Sequence, residues 1–331
     1  MSPEQLRHIL GRISSLKIAV IGDFAIDFYF QKIENTGDIS VETNKEVHWA
    51  KSPKTGLGGA GNVAKNLAVL GVPTSAFGLI GSDIFGRDMN FHCQNLAIQS
   101  DYLRETKGMD TPTYSKPMLG DVELNRIDFG TQKKDITQAS NDLVNALCDQ
   151  LAQYDWVIIN EQFRYPLLNQ ILLEKLQNAL QKQQKTGLAD LRSLGKFANN
   201  VLLKVNESEL AHVLNIDPAL LEDNNLVPNI VQNWVNSRQQ GALVTLGDRG
   251  LIYADQHHFH WQAGIPAKGP IDTVGAGDMV VAGFSAAKAA GASIQEACEF
   301  ATLCAHISIH KLGETGAASP QEILDLNQSQ L

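Results

Sequence analysis

The strongest constraint on the fold is an alternation of two kinds of segment. Short apolar runs ending in Gly or Asp are followed repeatedly by segments with helical spacing. "LKIAVIGD" (16–23) is an unbroken apolar run closed by Gly-Asp, the pattern of a buried parallel strand with polar groups at its C-terminal end. "NVAKNLAVLG" puts Val63, Leu67 and Leu70 on one helical face and stops at Gly71. "TSAFGLIGSD" reads as the next strand and "FGRDMNFHCQNLAI" as the next helix. Further strands are expected at "DWVIIN", "TGLADL", "VLLKVN", "GALVTLG" and "GLIYAD". Helices are expected at "ITQASNDLVNALCDQLAQ", "LLNQILLEKLQNALQKQQK" and "VPNIVQNWVNSRQ". Two more, "AGDMVVAGFSAAKAAG" and "SIQEACEFATLCAHISIHKLG", are expected to close the chain. Such units bury their apolar faces in an α/β fold, a doubly wound, mainly parallel sheet covered by helices on both sides. Two polar, partly alternating stretches, about 28–56 and 101–130, break the pattern. A small β-sheet lid inserted into one domain spanning 1–331 accounts for both.

Charge and cysteine content narrow the function classes. A net charge of -9 and a pI near 5.5 leave no basic footprint for nucleic acid. Cys93, Cys148, Cys298 and Cys304 form no C-x-x-C, as expected of small buried hydrophobes in a reducing compartment. The N-terminal stretch lacks the charged, apolar and cleavage regions of a signal peptide. No apolar run reaches the ~20 residues of a membrane helix. A cytoplasmic protein is expected.

"TGLGGAGNVAKNLAVLG" contains Gly56, Gly58 and Gly61 in a G-x-G-x-x-G pattern, and Asp83 follows downstream. A dinucleotide fold needs those glycines directly after a buried strand. Here "WAKSPKT", with a proline and two lysines, precedes them. The alternative is a loop where backbone approaches a ligand. Gly58 and Gly59 would supply the space, and Asn62 both a donor and an acceptor for a polyol.

"DTVGAGDMVVAGF" carries the chemistry. Gly275, Ala276 and Gly277 open a helix, and its unpaired N–H groups and dipole favour an anion. Asp278 stands in the first turn. A carboxylate beside an anion site would repel a phosphate, but it can take a proton from a hydroxyl that attacks one.

D-T-V-G-A-G-D closely resembles the C-terminal signature of the ribokinase-like (PfkB) carbohydrate kinases. "GGAGNVAKNLAVLG" resembles their other signature, "KVNESE" their N-x-x-E motif, and "VTLGDRG" the strand and turn at their nucleotide site. The order holds from about residue 16 to 320. No G-x-x-x-x-G-K-[ST] occurs, which disfavours a P-loop kinase. The resemblance implies ATP-dependent phosphoryl transfer to a sugar hydroxyl. Asp278 would be the general base, with the N–H groups of Gly275, Ala276 and Gly277 as the anion hole. Asn206 and Glu209 would organise Mg²⁺, partly through water. Thr245, Gly247 and Gly250 would border the nucleotide. Asp23, Asp27, Gly58, Gly59 and Asn62 would face the sugar. Asp272 would help hold a monovalent cation such as K⁺. The lid of a second copy would make a homodimer.

"VIGDFAID", "LNRIDFG" and "KLGETGAASPQEI" resemble one branch, the heptose 7-phosphate kinases of ADP-heptose synthesis. Two departures stand out. Phe28-Tyr29 replaces Arg-Tyr, and "NEQFRYP" replaces SDY-x-KG, so cations for a sugar phosphate would come from Arg126, Arg164, Arg192 or Lys196. The adenylyl transfer of that synthesis is expected on a different chain. Ribose-, fructose phosphate- and ketodeoxygluconate-type acceptors remain alternatives. The competing classes are a sugar-sensing kinase homologue without turnover and an NAD(P)-dependent oxidoreductase.

Overall fold

A computed structural model describes residues 1–329 apart from 35, 121 and 314. The chain opens with helix α1 (Pro3–Ile13). Ser2 caps it by accepting from the Gln5 N–H while the Gln5 side chain returns to the Ser2 N–H. Strand β1 (Ile18–Gly22) follows, wholly buried, and β2 (Phe24–Ile33) leaves the core at once. After a loop come β3 (Trp49–Gly59), α2 (Ala60–Val69), β4 (Thr74–Ile80), α3 (Ile84–Asn95) and β5 (Gln99–Glu105). Next are β6 (Thr113–Leu119), β7 (Val122–Glu123), β8 (Ile127–Phe129), α4 (Thr137–Gln150), β9 (Trp156–Glu161), α5 (Gln170–Lys182) and β10 (Gly187–Leu191). The C-terminal half runs β11 (Leu202–Asn206), α6 (Glu207–Leu214), α7 (Ala219–Glu222), α8 (Val227–Arg238), β12 (Ala242–Thr245), β13 (Leu251–Ala254) and β14 (Phe259–Gln262). It ends with α9 (Ala276–Ala289), α10 (Ile294–Ile309) and α11 (Pro320–Ser329).

The large sheet has nine strands in the order β14-β13-β12-β11-β10-β9-β1-β4-β5. All its pairings from β12 to β5 are parallel, and β13 and β14 add an antiparallel edge. Strand pleating divides the core. Ile18 and Val20 face a cluster with α1, α2, α9 and α10, whereas Ala19 and Ile21 face one with α4, α5 and α8. Sheet order reverses at β1, which lies between β9 and β4. The crevice beyond the C-terminal ends of β1 and β9 is therefore where a ligand is expected in such a sheet.

The small sheet has the order β3-β2-β6-β7, with β8 also paired to β6. The expected stretch 28–56 belongs to it, and β2 begins already at Phe24. The stretch 101–130 is divided. Residues up to Glu105 lie in β5, at the parallel edge of the large sheet, and only β6 to β8 join the small one. Alternation along "SDYLRE" is polar because β5 is an edge strand, so it reads like lid sequence. Two helices were expected to close the chain, yet α11 follows them and buries Ile323.

Asp23, just beyond β1, ties the crevice together. Its Oδ2 accepts the N–H groups of Gln162 at 2.8 Å and Phe163 at 2.9 Å, and its Oδ1 that of Leu167 at 2.8 Å. The carboxyl is buried, and burial pushes its pKa up to about 6 while the three amides pull the other way. Glu161, at the end of β9, acts alike on the next loop. It accepts from the Ser193 N–H at 2.8 Å, the Ser193 hydroxyl at 2.9 Å and the Leu194 N–H at 3.1 Å. Replacing Asp23 by Ala strands three donors, each costing about 1–3 kcal/mol when buried and unpaired. Urea unfolding of Asp23→Ala is expected to show a loss of roughly 3–5 kcal/mol. A loss below about 1 kcal/mol would contradict the clamp.

Candidate active site

The site is built at the N-terminus of α9. Gly275 caps that helix with φ of 82°, the left-handed region open to glycine. A Cβ there would also stand 2.8 Å from Asn62 Nδ2. Among the described residues, the N–H groups of Gly275, Gly277 and Asp278 find no acceptor, whereas the Ala276 N–H bonds Thr273 O at 3.1 Å. The expected anion hole therefore loses Ala276 in this conformation, because the turn into α9 uses its N–H. Gly275 and Gly277 keep theirs.

Asp278 receives two amides. Asn62 Nδ2 donates to Oδ2 at 2.7 Å and Gln162 Nε2 to Oδ1 at 3.4 Å. Burial raises its pKa to about 6, and the nearby Asp190 adds to the rise, while Asn62 and Lys204 oppose it. Lys204 pairs with Asp190 at 3.2 Å across adjacent strands, where the register sets these two residues side by side. Burial lowers the Lys204 pKa, but Asp190, Glu209 and Asp278 outweigh it and hold the ammonium charged. Asp278, Asp190, Glu209, Glu161, Lys204 and Arg192 border one small polar cavity of about 190 Å³. Lys204 and Gly277 also border a second cavity of about 590 Å³, which reaches Thr245, Gly247 and Gly250. A carboxylate and open N–H groups thus meet where the two spaces adjoin. This arrangement can draw a proton from a hydroxyl while stabilising negative charge beside it.

Several expected residues stand elsewhere in the scheme. The carboxylate of Asp23 is engaged by three loop amides, two on Oδ2 and one on Oδ1. Asp27 is buried and pairs with Lys116 Nζ at 2.9 Å; Lys116 also donates to the Tyr29 hydroxyl at 3.0 Å. A Cβ on Gly58 would come 3.1 Å from the Asp27 carboxylate, and one on Gly59 2.3 Å from Asp23 O. Both glycines therefore make room for the protein's own groups. Asn62 donates to Asp278, and among the described residues its Oδ1 has no partner, nor does either polar atom of the buried Asn160. Asn206 and Glu209 form a capping box on α6: Oδ1 of Asn206 accepts the Glu209 N–H at 2.8 Å, and Oε2 of Glu209 the Asn206 N–H at 2.8 Å. Asp272 Oδ1 accepts the Val274 N–H at 3.0 Å and borders a separate cavity under the lid.

The expected glycine loop is not a loop: Gly56, Gly58 and Gly59 lie in β3 itself, which is exposed over most of its length and pairs in the small sheet. Asp83 caps α3 through the Gly86 N–H at 2.8 Å and also accepts the Thr111 N–H at 2.6 Å. Neither feature matches a dinucleotide crevice. The groups that sequence reasoning missed are Gln162, Lys204, Asp190 and Lys116. A signal existed for two: "VLLKVN" and "TYSKP" each set a lysine inside a buried strand, where a lysine needs a partner.

Residues 15–322 match the model of the pfkB family carbohydrate kinases. The chain belongs to that family and is a carbohydrate kinase. It is 28% identical over 304 residues to the bifunctional protein HldE of Sulfurimonas denitrificans, covering 90% of this chain and 61% of that protein. Against HldE of Helicobacter hepaticus the identity is 28% over 320 residues, covering 96% of this chain and 64% of the relative. The kinase chain therefore spans less than two thirds of either relative. Its fold is that of the ribokinase of Arabidopsis thaliana, solved with ribose and ATP: TM-score 0.74, 20% identity, 94% of this chain and 98% of that one. It matches phosphofructokinase-2 of Escherichia coli equally well: TM-score 0.75, 20% identity, 95% and 99% covered. Among the described residues, no helix is long and apolar enough to cross a membrane.

The Asn62 contact makes a direct prediction. Asn62→Leu removes a donor that favours the ionised carboxylate, so the Asp278 pKa should rise above about 6. Carboxyl-carbon NMR titration of the full chain checks this; an unchanged or lower value would contradict the contact.

Proposed function

We propose that this carbohydrate kinase transfers the γ-phosphoryl group of ATP to a hydroxyl of a sugar phosphate, with heptose 7-phosphate, phosphorylated at O1, as the acceptor. The observation that carries the reading is the meeting of the two cavities at Asp278 and the open N–H groups of Gly275 and Gly277. Asp278 takes the hydroxyl proton. The Gly275 and Gly277 N–H groups hold charge developing on the transferred phosphoryl group, and Lys204 adds positive charge beside them. Asn62 and Gln162 orient the base. The heptose acceptor is supported by the "LNRIDFG" and "KLGETGAASPQEI" motifs, in which residue 314 lies outside the described residues, and by the HldE relatives.

Cations near the sugar side support a phosphorylated acceptor. The Arg126 guanidinium lies 4.8 Å from the Tyr114 ring, and Arg192 Nη1 donates to Gln162 O at 3.0 Å. Both act electrostatically on Tyr114. Phe28 packs on Phe30 and Phe85 and offers no charge. Arg164 and Lys196 lie instead over their neighbours Tyr165 and Phe197. An unphosphorylated sugar is the second reading. It is favoured because Arg126 and Lys116 are already paired, with Asp128 at 2.9 Å and Asp27 at 2.9 Å.

Mg²⁺ fits the donor chemistry. Among the described residues there is no cluster of three or more His, Cys, Asp or Glu side chains arranged for a metal. Mg²⁺ in kinase sites commonly rests on one or two carboxylates, waters and substrate phosphates. Glu209 Oε1 is the oxygen that the capping box leaves over, and Glu209 borders the polar cavity. The ion would neutralise phosphate charge there. Asp272 Oδ2, likewise left over, is the protein oxygen proposed for K⁺. The lid face that exposes Val122 and Ile127 is the surface proposed for pairing with a second copy. Light scattering showing a monomer would contradict that pairing.

A coupled ADP-release assay with Mg²⁺ and K⁺ across sugars and sugar phosphates tests the acceptor. Turnover concentrated on heptose 7-phosphate is expected; turnover on an unphosphorylated sugar alone would overturn this acceptor. The base also predicts a pH dependence. Below about 6 the Asp278 carboxyl is protonated and cannot accept the hydroxyl proton, so kcat/KM should fall tenfold per pH unit there. A flat profile from pH 7 to about 4.5 would contradict the assignment.

A further inference from the structure

The larger cavity beside the open end of α9 has walls of two kinds. Lys204, Asn206 and Thr245 make one side polar, whereas Ile265, Val280 and Ile309 make the other apolar. On the apolar side, α10 contributes two polar side chains, Thr302 and His306. Thr302 Oγ1 directs its proton to Cys298 O of its own helix at 2.9 Å. His306 Nδ1 lies 3.3 Å from Ile265 O. A carbonyl oxygen only accepts, so Nδ1 carries the proton and the neutral ring keeps Nε2 as an acceptor. The α10 wall therefore offers acceptors and no donor. The His310 ring sits 4.6 Å from that of His306, and His310 Nδ1 lies 2.7 Å from His306 O, so the backing is also fixed. Burial, with His310 second, lowers the His306 pKa, which favours the neutral ring.

We propose that His306 reads the base of the bound nucleotide: its Nδ1–H donates to Ile265 O, and its Nε2 accepts an N–H of the 6-amino group of adenine. A 6-oxo purine would set an acceptor against this acceptor and leave both unpaired. The inference rests on reading this cavity as the nucleotide site. It makes His306 the residue that separates adenine from hypoxanthine or guanine nucleotides.

Isothermal titration calorimetry of the full chain with ADP and with IDP, both with Mg²⁺, tests it without any sugar. The unmodified chain should bind ADP about tenfold more tightly than IDP. His306→Phe should abolish that preference by weakening ADP, and His306→Gln, which keeps an acceptor, should restore part of it. Equal affinity for ADP and IDP in the unmodified chain would overturn the role of His306 alone. A preference that survives in His306→Phe would do the same. Binding of neither nucleotide would overturn the nucleotide reading of the cavity and this inference with it.

Discussion

Asp23 presents one buried carboxylate to three backbone N–H groups, those of Gln162, Phe163 and Leu167. Those donors lie in the loop that leaves β9, at the point where the sheet order reverses. A loop of this kind cannot be buried unless its polar backbone is satisfied. The clamp fixes Gln162, whose side chain reaches Asp278 and whose carbonyl holds Arg192. Glu161 repeats the device one strand over and fixes residues 193 and 194. The loops beside the small polar cavity are thus held by two buried carboxylates.

In that cavity, charge balance governs the chemistry. Asp278, Asp190 and Glu209 share one cavity with Lys204, and the protein sets one lysine against them within a buried strand. Buried pairs of this sort add little to stability against apolar replacements. At Asp278 burial does most to push the pKa up, Asp190 adds to the rise and Lys204 opposes it, so the proposed base is ionised at pH 7 yet basic enough to take a proton. Asp27 and Lys116 form a second such pair between β2 and β6 of the small sheet. The glycines follow the same logic, since Gly58 and Gly275 leave room for the Asp27 carboxylate and the Asn62 amide.

Much of this was legible in the residues. Alternating apolar and helical segments gave the layered sheet, because burial on both faces makes such strands continuous in hydrophobicity. The D-T-V-G-A-G-D stretch marked the helix start that borders both cavities, because small residues there leave N–H groups open beside an acid. The roles of single polar residues were less legible. Asp23 and Asn62 read as sugar ligands from their positions, but their partners, loop amides for Asp23 and the Asp278 carboxylate of α9 for Asn62, stand more than a hundred residues away. The N-x-x-E pattern carries two meanings at once, a capping box and a candidate ion site, and spacing alone does not separate them. Edge strands β5 and β14 were obscured because exposed strands alternate like loops. Gln162 had no local signal at all.

The account turns on Asp278 as the base, and the Asp278→Asn variant measures that most directly. Single-turnover phosphoryl transfer, with circular dichroism and melting as controls on the fold, should slow by at least ~10²-fold while nucleotide binding persists. Near-normal transfer by a folded, nucleotide-binding variant would contradict the account.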